Sequence, residues 1–170
     1  MRSPWICSIV LFAMLLAAAL FCHSTAQASD KAPDFELYDM YGTRHKLADY
    51  LGKVVLINFW VSWCPECIEE MPSLNALYEN HKGKGLIVLG VSADRKKESV
   101  LPVISRARIS FPVLLDTTGG LFIRQYTVVG LPTTVVIDKK GFINERIIGR
   151  TDFGAPSFVK KIESLTGTRQ

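Results

Sequence analysis

The sequence predicts an α/β domain with a central mixed β-sheet flanked by helices, and three observations support this fold class. Apolar runs at 54–60, where Asn58 is the one polar residue, and at 86–91 are typical of strands that are buried on both faces of a sheet. Segments with helical periodicity alternate with these runs, which is the pattern of parallel strands joined by helices. A third apolar run, 133–137, precedes a turn and a further strand over 142–148, so one side of the sheet should be antiparallel.

The longest predicted helix begins shortly after the strand 54–60. Pro65 suits its first turn, where the missing N–H would have no partner in any case. Apolar residues then recur at nearly 3.6-residue spacing as far as His81. Pro72 should bend this helix because it removes one i→i−4 hydrogen bond. Lys82-Gly83 should end it, since a cation followed by glycine is a common helix terminus.

Shorter signals predict the remaining elements. Two short β-type segments joined around Tyr41-Gly42 indicate an N-terminal hairpin. Asp138-Lys139-Lys140-Gly141 is a turn between strands, with glycine placed for a positive φ. The other predicted bounds are, in order, hairpin strands 35–38 and 43–47, a turn at 48–52, helix 96–108, strand 111–115, a short helix ending at Tyr126, and a closing helix 152–165.

The N-terminus predicts export. An apolar run from Trp5 to Cys22 leads to small and polar residues that end in an Ala-x-Ala at Ala28. Residues 1–28 are therefore predicted to be a secretory signal that is cleaved after Ala28. The alternative is a membrane anchor at 5–22, because 18 helical residues span about 27 Å, nearly the thickness of the hydrocarbon core. In both cases the folded domain, expected at 32–167, lies outside the cytoplasm, in the periplasm.

Composition narrows the function further. A hydrophobic content of 48% supports a full core, and a net charge of +4 with scattered Lys and Arg argues against a nucleic-acid partner. Cys7 and Cys22 fall in the predicted leader, so the exported domain holds two cysteines, Cys64 and Cys67. In an oxidising compartment, one close pair without structural disulfides indicates thiol chemistry.

The two cysteines lie at the junction between a buried strand and the helix that follows it. Residues three apart in a helix have Cα atoms about 5 Å apart, within the roughly 4.4–6.8 Å that a disulfide needs. The pair can therefore close and reopen with little backbone movement, as a redox couple does. Two alternatives stay open. A structural disulfide across so short a ring would stabilise the fold by only about 2 kcal/mol, and a zinc site would need two further ligands.

Several short motifs, in a fixed order along the chain, carry a family resemblance. They are Ala32-Pro33-Asp34-Phe35, Phe59-Trp60-Val61-Ser62-Trp63, Cys64-Pro65-Glu66-Cys67, Glu70-Met71-Pro72, Phe111-Pro112-Val113-Leu114-Leu115-Asp116, Gly130-Leu131-Pro132-Thr133-Thr134 and Val136-Ile137-Asp138-Lys139-Lys140-Gly141. With them, residues 32 to about 165 resemble a thioredoxin-like fold, and more narrowly the exported thiol–disulfide reductases of the TlpA/ResA type, which serve cytochrome c maturation. Residues 92–120 look like the insertion that separates this branch from plain thioredoxin.

The resemblance implies roles for individual residues. Cys64 would be the exposed thiol that attacks the substrate, and Cys67 the buried thiol that resolves the mixed disulfide. Pro132 would be the family's cis-proline, which turns the backbone of Leu131 toward a substrate strand. Glu70, one helical turn after Cys67, would handle the proton of Cys67. The alternative for Glu70 is an ordinary solvated acid.

Substrate contacts are expected around the motif. The candidate substrate-binding residues are Trp63, Pro65, Glu66 and Leu131. For Trp63 and Phe59, packing around the motif is favoured over contact with substrate. The chain also departs from plain thioredoxin at Asn58, where thioredoxin keeps a buried aspartate, and an amide cannot serve as a base.

Charge predicts the direction of the chemistry. A helix N-terminus stabilises a thiolate, which favours an oxidant, but Glu66, Glu69 and Glu70 crowd the same two turns and should oppose thiolate formation at Cys64. We therefore expect a reductant. The resemblance implies a membrane dithiol carrier as electron donor and protein disulfides as acceptors, with apocytochrome c at its haem-attachment cysteines as the leading candidate. No cofactor and no metal are expected.

Rival functions stay open. A protein disulfide oxidase or isomerase would use the same fold and the same cysteines. A copper-handling carrier on this fold spaces its cysteines by three residues and adds a downstream histidine, whereas this chain spaces them by two and has no histidine after His81. His45 and His81 are expected at the surface. A peroxide-reducing enzyme would carry threonine where Val61 stands, three residues before Cys64.

Overall fold

A five-stranded mixed sheet and a two-stranded hairpin organise the structure, a computed structural model that describes residues 30–167. The strands and helices are, in chain order, β1 (Glu36–Tyr38), β2 (Arg44–Lys46), β3 (Val54–Trp60), α1 (Pro65–His81), β4 (Leu86–Ser92), α2 (Lys97–Ala107), β5 (Val113–Leu115), β6 (Thr133–Ile137), β7 (Ile143–Ile148) and α3 (Pro156–Thr166). Short 3₁₀ turns cover Leu47–Tyr50 and Lys82–Lys84. The predicted fold class, a thioredoxin-like α/β domain with an N-terminal hairpin, is confirmed.

The sheet has the order β5-β4-β3-β6-β7, with β3 at its centre. β3 pairs in parallel with β4, with Val54 opposite Leu86 and Trp60 opposite Ser92. On its other side β3 pairs antiparallel with β6, and β6 with β7, as the turn before β7 predicts. Residues 92–120, the predicted insertion, supply α2 and the edge strand β5, which is parallel to β4.

Both faces of β3 are buried, which explains why every residue in it except Asn58 is apolar. Each residue from Val54 to Trp60 is at most 2% exposed. Trp60 packs in a layer with Met71 of α1, whereas Phe59 packs in the opposite layer with Tyr126. The apolar clusters on both faces of the sheet therefore hold the carboxyl end of β3 in place, and the cysteine motif follows directly after it.

Helical boundaries differ from the predicted ones near the C-terminus. α3 begins at Pro156, four residues after the predicted start. Asp152 instead forms a turn, in which its carboxylate accepts a hydrogen bond from the Gly154 N–H at 2.9 Å. The helix begins at Pro156 because the fixed φ and missing N–H of proline suit the first turn of a helix. The short helix predicted before Tyr126 is present as a π-helix, Gly120–Gln125.

The predicted signal or anchor, residues 1–28, lies outside the described residues. The first described residues lie beside the β6–β7 turn, where Lys31 forms an antiparallel bridge with Phe142. This turn is at the opposite end of the sheet from Trp60, because Ile137 of β6 pairs with Val55 of β3. Between residues 30 and 167, no helix combines the length and the apolar character needed to cross a membrane.

Candidate active site

The two cysteines of the motif form a disulfide bond at the N-terminus of α1. Their Cα atoms are 5.3 Å apart, as helical geometry predicts. Cys64 is the N-cap residue of α1, and its Sγ accepts a hydrogen bond from the Cys67 N–H at 3.2 Å. Pro65 occupies the first turn of α1, where a backbone N–H would have no acceptor within the helix, so its absence in proline costs no hydrogen bond. The structure therefore holds the oxidised form of the pair.

Cys64 is less accessible than the sequence predicts. It is 7% exposed, and Cys67 is 0% exposed. The prediction of an openly exposed Cys64 is wrong, because this side chain packs in an apolar cluster that includes Val61. The order of exposure is nevertheless the predicted one. Cys64 also lies in the wall of a solvent-open groove, from which a substrate sulfur can approach it.

The groove has a volume of about 720 Å³ and a mainly apolar lining. The lining consists of Trp63, Cys64, Pro65, Glu66, Phe122, Val128, Val129, Gly130 and Leu131. All four candidate substrate-binding residues belong to it. Trp63 is 75% exposed, so the favoured interpretation, that its side chain packs around the motif, is wrong. Phe59, in contrast, is fully buried and does pack.

The peptide bond between Leu131 and Pro132 is cis, as the resemblance implies. The Thr133 hydroxyl donates to the Gly130 carbonyl at 2.6 Å. The Gly149 N–H donates to the Pro132 carbonyl at 2.8 Å, which ties the start of β6 to the end of β7. Leu131 lines the same groove as the disulfide, so a strand that paired with its backbone would pass beside Cys64.

Glu70 is buried, with 2% exposure, one helical turn after Cys67. Its Oε1 accepts a hydrogen bond from the Asn58 side-chain amide at 2.7 Å, and its Oε2 accepts one from the Thr151 N–H at 2.9 Å. Burial raises the pKa of Glu70 to about 7, against the lowering effect of these two hydrogen bonds. The alternative of a solvated acid is therefore wrong, and the side chain can exchange a proton near neutral pH.

The negative charge around the motif is smaller than the sequence suggests. Glu69 is exposed and forms an ion pair with Arg150 at 3.0 Å, which offsets part of its charge. Glu70 is partly protonated near neutral pH because of its raised pKa. Glu66 is exposed in the groove lining. The expectation of three full negative charges is thus wrong in its count.

Sequence reasoning missed two contributors to the site. Thr151 reaches Glu70 through its backbone N–H, which any residue except proline could supply, so its identity gives no signal. Asp94 follows β4, and its carboxylate accepts hydrogen bonds from the Ser62 N–H and hydroxyl. Asp94 could have been found, because the carboxyl ends of neighbouring parallel strands meet at one edge of a sheet.

Both histidines of the described region are buried, so their predicted surface location is wrong. His45 is 7% exposed, and its ring nitrogens contact Tyr50 Oη and the Asp39 carboxylate. His81 is 5% exposed, and its Nδ1 donates to the Leu77 carbonyl at 3.0 Å. Within residues 30–167, no three His, Cys, Asp or Glu side chains gather as a metal site would require.

Comparisons with known proteins agree with this geometry. The profile of the AhpC/TSA family matches residues 28–146. The thiol-disulfide oxidoreductase ResA of Geobacillus kaustophilus is 41% identical over 130 residues, which cover 76% of this chain and 74% of that protein. The thioredoxin-like protein YneN of Bacillus subtilis is 36% identical over 126 residues, or 72% of each chain.

A solved structure shows the same architecture. The thioredoxin domain of a thiol-disulfide oxidoreductase from Bacteroides vulgatus has a TM-score of 0.71 and 28% identity, and the match covers 81% of this chain and 99% of that one. The chain therefore belongs to the AhpC/TSA family and is a thioredoxin-fold thiol–disulfide oxidoreductase of the ResA type.

Proposed function

We propose that this protein reduces disulfide bonds of exported proteins, outside the cytoplasm. The observation that carries the proposal is Glu70, a buried carboxyl one helical turn from Cys67 with a pKa of about 7. A group with that pKa accepts and returns protons at neutral pH. Resolution of a mixed disulfide requires such a group, because a fully buried Cys67 cannot pass its proton directly to bulk water.

The proposed cycle begins with the dithiol. The Cys64 thiolate attacks one sulfur of a substrate disulfide, so that a bond forms between Cys64 and substrate while the other substrate sulfur leaves as a thiolate and takes a proton from water. Cys67 then gives its proton to the Glu70 carboxylate and attacks Cys64 Sγ. The internal disulfide forms, and the first substrate sulfur leaves with the proton that Glu70 returns. Two electrons have passed to the substrate.

Location and partners follow from the predicted export. The domain at 32–167 works in the periplasm, either released from a signal at 1–28 or tethered by an anchor at 5–22. An oxidising compartment does not supply electrons, so a membrane protein with a dithiol reduces the Cys64–Cys67 disulfide by the reverse exchange. The proposed substrate is apocytochrome c with its haem-attachment cysteines oxidised, as the family resemblance implies.

The reduction potential tests the proposal. We expect equilibration of the purified protein with glutathione to give a potential nearer the roughly −270 mV of thioredoxin than the roughly −120 mV of a strong oxidant. Glu66 and the ionised fraction of Glu70 disfavour a thiolate and therefore favour the disulfide. A value at the oxidant end would contradict the proposal and favour the oxidase. Reshuffling of scrambled disulfides without net reduction would favour the isomerase, and rapid consumption of hydrogen peroxide would favour a peroxidase.

Trp63→Ala is expected to weaken the binding of protein substrates. The indole is 75% exposed in the groove wall next to Cys64, and exposed aromatic side chains of this kind often anchor interfaces. The KM for a protein disulfide should rise roughly tenfold, about 1.4 kcal/mol, with little change in the rate on a small disulfide reagent. Tyr41→Ala is the control, because Tyr41 is 84% exposed and lies outside the groove. Equal effects in the two variants would exclude a specific contact by Trp63.

A further inference from the structure

We infer that Asp94 is a positioning residue for the redox couple, because it fixes the turn that carries Cys64 at the end of β3. Asp94 lies two residues after the end of β4 and is 7% exposed. The cycle described above does not use it. The inference requires only that Cys64 and Cys67 exchange as a couple, whichever direction the proposed function takes.

The Asp94 carboxylate accepts three hydrogen bonds. Oδ2 accepts from the Ser62 N–H at 2.8 Å and from the Ser92 hydroxyl at 2.7 Å. Oδ1 accepts from the Ser62 hydroxyl at 2.7 Å. Both donors of Ser62, backbone and side chain, are therefore held by a single carboxylate whose own position is fixed from β4.

Ser62 is the first central residue of a tight turn. The Cys64 N–H donates to the Val61 carbonyl at 3.2 Å, which closes the turn around Ser62 and Trp63. The Trp63 side chain is 75% exposed and cannot hold the turn by packing. The turn is instead held by the hydrogen bonds between Ser62 and Asp94, which restrain the backbone that leads directly into Cys64.

The position of Cys64 is consequently set from two sides. On its C-terminal side, Cys64 is the N-cap of α1 and its Sγ accepts the Cys67 N–H. On its N-terminal side, Asp94 restrains Ser62. Disulfide formation depends on how well the two sulfur atoms are held in reacting geometry, which can be expressed as an effective concentration. A looser turn should lower that concentration and make the dithiol harder to oxidise.

The test is the equilibrium constant for formation of the Cys64–Cys67 disulfide against glutathione. Asp94→Ala should lower this constant about tenfold, which corresponds to a potential about 30 mV less negative. Loss of a nearby negative charge would act in the same direction, so Asp94→Ala cannot decide the cause alone. Ser62→Ala keeps the carboxylate and removes only one contact with the turn, and should lower the constant about threefold.

Matched variants separate positioning from general damage. Ser110→Ala also removes a serine hydroxyl that donates to a carboxylate, that of Glu79, but Ser110 belongs neither to the turn nor to the contacts of Asp94. Asp138→Ala removes a carboxylate that accepts two backbone N–H groups at the opposite end of the sheet. Both should leave the constant within about twofold, and Ser62→Ala should add nothing to Asp94→Ala because the two act through one contact. Equal falls in Ser62→Ala and Ser110→Ala, or full additivity of Ser62→Ala and Asp94→Ala, would overturn the inference.

Folding is checked by urea unfolding of each oxidised variant. If Asp94→Ala does not fold, Asp94→Asn keeps the side-chain volume and one acceptor oxygen for the Ser62 N–H, and should give an intermediate fall in the constant. An unchanged constant in both Asp94→Asn and Ser62→Ala would exclude the inference. Failure of the proposed function would be seen in a different measurement, because the unmodified protein itself would then have an oxidising potential.

Discussion

Cys67→Ser is expected to stop turnover and to trap the substrate on Cys64. Cys67 is 0% exposed and is bonded to Cys64 in the oxidised protein, so it is placed to resolve a mixed disulfide and to do little else. A serine hydroxyl cannot form the internal disulfide. Resolution would then depend on external thiol, and turnover should fall at least about a thousandfold, because a positioned internal group acts at an effective concentration far above millimolar.

The trapped species is measured on a non-reducing gel after incubation with a disulfide-containing protein, and the partner is identified after reduction. Cys64→Ser is the matched control and should trap nothing, since the remaining thiol is buried. Cys7 and Cys22 should be replaced by serine in both proteins, so that every adduct comes from the motif. Normal turnover by Cys67→Ser, or equal trapping by Cys64→Ser, would disprove the assigned order of attack.

The parts of the site that depend on local sequence were predictable. The predicted strand 54–60 and helix 65–81 coincide with Val54–Trp60 and Pro65–His81. A strand buried on both faces is almost entirely apolar, and proline in the first turn of a helix indicates where that helix starts. The spacing of the cysteines then fixes their separation, because helical geometry leaves few choices for residues three apart.

The parts that depend on distant partners were not predictable in the same way. Helical spacing places Glu70 on the face of Cys67, but its burial depends on an amide from β3 and on the Thr151 N–H, 81 residues away in sequence. His45 is buried because Asp39 and Tyr50 satisfy its ring nitrogens. Periodicity gives the face on which a polar residue lies, whereas tertiary contacts decide whether that face can bury it.

Glu70 should make the stability of the oxidised protein fall as the pH rises. Its pKa in the folded state is about 7, above the ordinary value of 4.5, so the folded protein binds this proton more tightly than the unfolded chain. The stabilisation from the neutral carboxyl is complete below pH 4.5 and is lost as the pH rises through 7. Between pH 5 and pH 8 the free energy of unfolding should drop by about 2–3 kcal/mol from this group.

Glu70→Gln isolates that contribution, because its amide stays neutral over the whole range and other groups titrate equally in both proteins. Urea unfolding of the oxidised proteins at pH 5 and pH 8 should show the extra loss of stability in the unmodified protein and in Glu69→Gln, whose side chain is exposed on the same helix, but not in Glu70→Gln.

Glu70→Gln should also slow resolution of the mixed disulfide about a hundredfold, since proton transfer by a positioned side chain contributes that much or more. A pH dependence that survives in Glu70→Gln would place the titrating group elsewhere. Unchanged resolution would remove Glu70 from the proton transfer, because a carboxyl that only fills space is replaced well by an amide of the same shape.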